Sequence, residues 1–184
     1  MSHRTDEQLV SQYLRNDEQA LEILIQRYLK PIYSFVYQYV SNEQEAEDIT
    51  QEVFIKAWRN LKKFDPQRKF KTWIFTIAKN TCFDWWKKKR AIPFSIFDNK
   101  EGFSLARTIQ DPDPLPNELL ERKNLKTTLN KALETLSSKY RLVLSLRYNN
   151  DFTFREIAEI LEEPINTIQS RYRRGVALLR KRFV

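Results

Sequence analysis

Glycine is almost missing from this chain. Two glycines in 184 residues disfavour hairpin-rich β folds, whose tight turns need positive φ, and favour helices. Cysteine is scarcer still. Cys82 stands alone, which excludes a disulfide framework and any cysteine-based metal site; its expected role is a buried core thiol. His3 is the only histidine and lies in a terminus expected to fray. Acid–base chemistry on histidine and zinc chemistry therefore have little to build on, and no cofactor is expected. Long apolar runs are missing too. The longest, Ile32 to Val40, is broken by Ser34 and Gln38 and falls far short of the ~20 apolar residues of a membrane span. Met1 to Val10 is polar and acidic, unlike a signal peptide. The expectation is a cytoplasmic protein that does not insert into a membrane.

What is present is apolar bulk and positive charge. Residues of the hydrophobic class make up 41% of the chain and aromatics 13%, enough for one core or two small ones. The net charge is +8, and its distribution says more than its sum. Residues 41–55 hold five acids (Glu43, Glu45, Glu47, Asp48, Glu52) and no base. Residues 56–90 hold twelve bases and two acids, and residues 117–184 hold fourteen bases and eight acids. Two separated positive blocks suggest two contacts with a polyanion. The isolated acidic run suggests a protein partner with a basic surface. A helix dipole favouring acids in its first turns explains that run equally well.

The apolar spacing predicts helices throughout, hence an all-α fold. Leu21, Leu24, Ile25, Tyr28, Leu29, Ile32, Phe35, Val36 and Tyr39 follow the i, i+3, i+4 rule, with Pro31 expected to kink the helix. Asn42 and Glu45 read as a capping box. The helix after them is expected to bury Ala46, Ile49, Val53, Phe54, Ala57 and part of Trp58. Leu61 to Lys69 reads as a basic loop with a turn at Asp65 and Pro66. A third helix is expected from Phe70 to about Lys89, with a core stripe of Phe70, Trp73, Ile74, Ile77, Ala78 and Cys82. Thr72, Thr76 and Asn80 form a polar stripe beside it. Phe75, Lys79, Phe83, Trp86 and Lys87 read as a mixed aromatic and basic surface. Rings interleaved with cations are what a nucleic-acid single strand needs, since rings stack on unpaired bases and cations follow phosphates. The rival reading is that these aromatics are core. Phe70 and Trp73 fit the core better, Phe64 is the candidate for exposure, and Phe83 and Trp86 stay open.

Residues 91–116 read as a linker, because Pro93, Pro112, Pro114 and Pro116 break helices and no period is visible. Leu119, Leu120, Leu125, Leu129, Ala132, Leu133 and Leu136 outline a further helix. Ser137 or Ser138 should cap the next, which carries Tyr140, Val143, Leu144 and Leu146. From Thr153 the chain reads as a helix-turn-helix. Thr153 and Glu156 make a capping box before Ile157, Ala158, Ile160 and Leu161, and Glu162, Glu163 and Pro164 stop that helix. Asn166 and Gln169 read as a second capping box. From Ile165 onward six residues are basic (Arg171, Arg173, Arg174, Arg180, Lys181, Arg182) and none is acidic. A short basic helix after a tight turn suits a DNA major groove.

These segments resemble a known family. Glu45 to Trp58 (EAEDITQEVFIKAW) and Phe70 to Asn80 (FKTWIFTIAKN) look like the second region of bacterial sigma factors. Pro164 to Gly175 (PINTIQSRYRRG) resembles their fourth region. With nothing resembling a third-region domain between them, the layout is similar to the extracytoplasmic-function group. The resemblance implies two small helical domains, 1–90 and 117–184, joined by a flexible linker at 91–116, the second domain holding the helix-turn-helix. It implies binding to core RNA polymerase and promoter DNA, with an anti-sigma protein as a further candidate partner. Carried over, the polymerase face is Asp48, Gln51, Glu52 and Trp58. Flipped minus-ten bases fall to Lys63, Phe64, Lys71, Trp73, Thr76 and Asn80. The minus-thirty-five duplex falls to Thr167, Gln169, Ser170, Arg171, Arg173 and Arg174. The acidic linker would thread towards the polymerase cleft.

Two positions depart from the family pattern. Glu162 stands in a turn where a small residue, often glycine, is common, and Asn166 stands where glycine is common. Gln169 and Tyr172 occupy variable recognition positions. Two other classes compete with the sigma reading. An operator-binding helix-turn-helix regulator explains the C-terminus alone. An enzyme acting on nucleic acid would need carboxylates clustered in a basic cleft, whereas the acids at 43–52 are spaced like a docking face.

Overall fold

The computed structural model describes residues 4–40, 42–89 and 136–183. The expected linker, most of the helix before Leu136, and His3 lie outside them. The described residues hold seven α-helices and no strand. They are α1 (Asp6–Tyr13), α2 (Glu18–Val40), α3 (Glu43–Asn60), α4 (Phe70–Lys89), α5 (Ser138–Tyr148), α6 (Phe154–Leu161) and α7 (Ile165–Phe183), with a short 3-10 turn at Leu61–Lys63.

Helices α1 to α4 form the first unit. Every residue expected to be buried in α3 is buried (Ala46, Ile49, Val53, Phe54 and Ala57). Trp58 is half-buried and leans on Phe54 at 5.8 Å. Helix α2 runs through Pro31 without a break in its assignment and buries Leu24, Tyr28, Ile32, Phe35 and Val36. Leu29, expected in that stripe, is 49% exposed. Helix α4 spans the predicted Phe70–Lys89. Its N-terminus, where backbone N–H groups lack helical partners, receives the Glu7 carboxylate, which accepts from Phe70 N–H at 3.2 Å. Asp6 in turn accepts from Arg27 and the Tyr28 hydroxyl, so α1 is fastened to α2 and α4 together. Burial pushes the Cys82 thiol up to about 12, consistent with an inert core thiol.

Several expectations fail here, each for a tertiary reason. Phe75 is fully buried, packed edge-on against Phe35 at 5.2 Å, and does not belong to a surface. Phe64 is 6% exposed. Its loop folds back so that the ring meets Phe70 at 5.7 Å and Trp73 at 5.2 Å. Thr72 is buried as well. The capping box at Asn42 is only half made. Asn42 accepts from Glu45 N–H at 3.0 Å, but the Glu45 carboxylate goes to Lys89.

Helices α5 to α7 form the second unit, with Val143, Leu144, Leu146, Ile157, Ile160, Leu161 and Ile168 buried. The Thr153 and Glu156 capping box is present in both directions. The α6 terminus puts Glu162 at φ 55°, a left-handed conformation that costs a non-glycine residue about 1–2 kcal/mol. A glycine in this turn would avoid that cost. Helix α7 starts at Ile165, with the Pro164 carbonyl accepting from Thr167 and Ile168 N–H. Asn166 therefore lies inside the first turn, and the second capping box does not form. Proline fixes φ and supplies the start of the helix without a side-chain cap.

Gly175 lets α7 approach α5. A Cβ there would lie 3.0 Å from Leu144 Cδ1 and 3.4 Å from Tyr140 Cβ, and Leu144 is 1% exposed. Gly175→Leu is expected to destabilise this unit by about 1–3 kcal/mol through overpacking. Urea unfolding would read this as a lower midpoint at similar slope; an unchanged midpoint would mean that the helices can separate freely.

Candidate nucleic-acid interface

Helix α7 presents a groove of about 490 Å³ lined by Asn166, Gln169, Ser170, Arg173 and Arg174. The periodicity of a helix explains the set: positions 166, 169, 170, 173 and 174 share one face. Arg173 and Arg174 are exposed, and Gln169 and Ser170 are half-buried. Thr167 is half-buried on the first turn and outside this lining. Two side chains of this segment are held by neighbouring elements. Arg171 forks onto Glu163, both contacts at 2.8 Å, and so ties α7 to the turn before it. Tyr172 packs on Phe154 at 5.0 Å and shares a 2.7 Å hydroxyl contact with Tyr148, so its ring is held against α5 and α6. Asn166, expected to cap the helix, lies on this face instead. The proline two residues earlier was the available signal.

The second basic face runs along α4 and the loop before it. Lys63 is exposed on the 3-10 turn, while Trp73 is half-buried over Phe64. Thr76 donates its hydroxyl to Thr72 carbonyl at 2.9 Å. Trp86 is half-buried and donates to Tyr39 carbonyl at 3.4 Å, and Lys87 lies over the Phe83 ring at 4.5 Å. Lys71 and Asn80 point at the second unit. Lys71 Nζ donates to Asn150 carbonyl and sits 4.6 Å above the Phe152 ring. Asn80 Nδ2 is 3.4 Å from Glu162 Oε1. The structure thus groups Lys63, Phe64 and Trp73 at one end, and places Lys71 and Asn80 under the helix-turn-helix.

The acidic strip lies on α3. Asp48 and Gln51 are exposed, and Glu52 is half-buried with Lys56 at 2.9 Å. Among the described residues Asp48 has no ion-pair partner. Ile55, 48% exposed, lies between Gln51 and Trp58 on the same side. Its position seven residues after Asp48, outside the buried set, was the sequence signal for it. The described residues contain no cluster of acids, histidines and cysteine able to hold a metal ion, and no helix long and apolar enough to cross a membrane.

Comparison with known proteins agrees with this layout. Residues 24–92 match the family described as sigma-70 region 2, and residues 126–179 match sigma-70, region 4. The chain is 35% identical over 176 residues to the ECF RNA polymerase sigma factor SigW of Bacillus subtilis (strain 168), covering 94% of this chain and 93% of that protein. It is 31% identical over 170 residues to the ECF RNA polymerase sigma-E factor of Escherichia coli (strain K12), covering 91% and 88%. In fold it resembles the sigma factor RpoE from Bartonella quintana, solved in complex with the anti-sigma factor NepR. That likeness has a TM-score of 0.64 at 23% identity and covers 88% of this chain and 94% of the other. Two sigma regions in order, on separate helical units, over nearly the full length of these relatives, place this chain in the extracytoplasmic-function family of RNA polymerase sigma factors.

Proposed function

We propose that this sigma factor docks on core RNA polymerase through α3 and brings it to promoters by two DNA contacts on separate units. The observation that carries the reading is the placement of three charged surfaces: acids on α3, bases on α4 and its loop, and bases on α7. An operator-binding regulator would use α7 alone and leave the other two without a role.

On α3, Asp48, Gln51 and Glu52 form a polar rim beside Ile55 and Trp58, the mix of apolar centre and charged edge that protein interfaces use. On α7, Gln169 and Asn166 suit adenine edges, and Arg173 and Arg174 suit guanine edges or phosphates. Thr167 and Ser170 suit phosphate oxygens. Arg171 holds the turn in shape while it stays on Glu163. On α4, Lys63 and Lys71 follow the phosphates of the unpaired strand, Trp73 offers a stacking face, and Phe64 supports that ring from beneath. Stacking is worth about 1–3 kcal/mol per base, enough to hold a base taken out of the duplex. Thr76 and Asn80 suit hydrogen bonding to base edges.

In this reading residues 1–90 form the polymerase-docking and minus-ten domain, 91–116 the linker and 117–184 the minus-thirty-five domain. The chain works in the cytoplasm and catalyses nothing itself, and an anti-sigma protein is a natural regulator for it. Asn80→Ala is expected to slow open-complex formation about threefold to tenfold, the loss of one hydrogen bond at about 0.5–1.5 kcal/mol, with initial promoter binding nearly unchanged. Permanganate footprinting of the melted strand over time measures this. An unchanged footprint would remove Asn80 from the minus-ten site.

A further inference from the structure

Helix α1 lies ahead of residues 24–92, the segment matched to sigma-70 region 2, yet it is tied to the base of α4. A helix begins with backbone N–H groups that have no partner inside it, and a capping side chain must accept from them. The residue before α4 is Lys69, whose ammonium can only donate. Glu7 accepts from Phe70 N–H instead, at 3.2 Å and across 63 positions of sequence. The dipole of α1 favours an acid in its own first turn. It does not account for a half-buried carboxylate aimed at the start of another helix.

Asp6 reaches the same residue through its ring. The Tyr28 hydroxyl donates to Asp6, and the Tyr28 ring meets Phe70 edge-on at 5.3 Å. Burial first, and then the Asp6 carboxylate, push the Tyr28 hydroxyl well above its ordinary value, so it stays a donor. Phe70 is fully buried and passes the constraint on, since its ring lies 5.7 Å from Phe64 and 5.6 Å from Trp73. Trp73 stands in the first turn of α4, its N–H donating to Lys69 carbonyl at 3.1 Å. The capping box of Thr5 and Gln8 fixes where α1 starts and so sets Asp6 and Glu7. The two acids thus hold Phe70 by its backbone and by its ring.

We infer that Glu7 is a positioning residue for minus-ten recognition: it sets the start of α4 and, through Phe70, the plane of Trp73 on which a flipped base stacks. The inference rests on the minus-ten reading of α4. Glu7 acts through Phe70 and touches no DNA itself. A platform of this kind has to be held to within about 0.5 Å and 10–20°, and a first turn without its cap leaves N–H groups unpaired. Burial of Leu9 and Val10 keeps α1 docked without the carboxylate. Losing Glu7 therefore loosens the platform and leaves the fold in place.

The test compares the full chain with its Glu7→Ala and Glu7→Gln variants, each assembled on core RNA polymerase. The probe is a fork of promoter DNA from a start site mapped by run-off transcription, duplex upstream and with the non-template strand unpaired across the minus-ten element. Binding is read by fluorescence anisotropy. Abasic sites placed one at a time along this strand find the stacked base, whose loss is expected to weaken wild-type binding about tenfold. With Glu7→Ala that penalty is expected to shrink to about twofold, while the abasic probe binds all three proteins alike. Glu7→Gln keeps an oxygen acceptor and is expected to restore the tenfold penalty. A Glu7→Ala protein that keeps the full penalty would overturn the inference. So would an equal loss on intact and abasic probes, which is what general weakening of the domain gives, and so would a Glu7→Gln protein no better than Glu7→Ala. A wild-type chain indifferent to every abasic site would overturn the stacking assignment of Trp73, and the inference with it. Melting followed by circular dichroism is expected within about 5 °C of wild type for both variants. Unfolding of Glu7→Ala at the assay temperature would overturn the inference, because Glu7 would then hold the fold rather than the platform.

Discussion

Asp48→Arg is expected to abolish co-purification with core RNA polymerase while leaving the fold intact. Asp48 is exposed on α3, near Glu47 and Glu52 and beside Gln51. If this strip meets a basic surface, an arginine at its centre replaces an attraction with a repulsion. Like-charge juxtaposition across an interface costs several kcal/mol, which corresponds to about 100-fold or more in Kd. The effect on stability is expected to stay within about 0.5 kcal/mol, because the side chain is exposed and lies past the first turn of α3. Circular dichroism and a pull-down separate the two quantities. Normal co-purification of Asp48→Arg would move the docking surface off α3 and return the acidic run to a helix-dipole explanation.

Arg174→Ala is expected to weaken binding to minus-thirty-five duplex about tenfold to 100-fold, the scale of one arginine contact worth about 1–3 kcal/mol. Arg174 is exposed in the α7 groove. A base contact would relax specificity at one position. A phosphate contact would weaken all sequences alike and lower the salt slope by about one. Polymerase binding is expected to be unchanged, since α3 and α7 belong to different units. Loss of polymerase binding in this variant would contradict the division of surfaces. Arg171→Ala makes an informative control: its guanidinium holds Glu163, so its effect is expected in the stability of the turn as well as in DNA affinity.

Much of the fold was legible in the sequence because it is written in local periodicity. The stripe from Ala46 to Ala57 and the span of α4 follow from i, i+3, i+4 spacing, which the backbone geometry of a helix enforces whatever lies nearby. The Thr153 capping box is local too, and it forms. What escaped was decided by partners distant in sequence. Glu45 completes no capping box because Lys89 takes its carboxylate. Phe75 looks like a surface aromatic until Phe152, from the other unit, covers it. Phe64 is buried because its loop turns back onto Phe70 and Trp73. Asn166 was misplaced by two residues, because Pro164 starts α7 and puts the asparagine in its first turn, facing the groove.

The candidate surfaces were legible in a different way. Charge blocks located the acidic strip on α3 and the bases on α4 and α7, since exposed charge stays exposed in a folded chain. Side-chain direction was not legible. Arg171 and Tyr172 lie within the recognition segment, yet one turns to Glu163 and the other to Phe154. The acids of α6 carried no meaning until the structure set them against Lys69, Arg68 and Lys79.

The most direct measurement is binding of the purified chain to bacterial core RNA polymerase, followed by run-off transcription from a genomic library. Tight binding with new transcripts that start at defined sites is expected, and it would give the promoter motif at once. Absence of binding to core, with duplex DNA still shifted in a gel, would contradict promoter-directing activity and favour an operator-binding regulator built on the same helices.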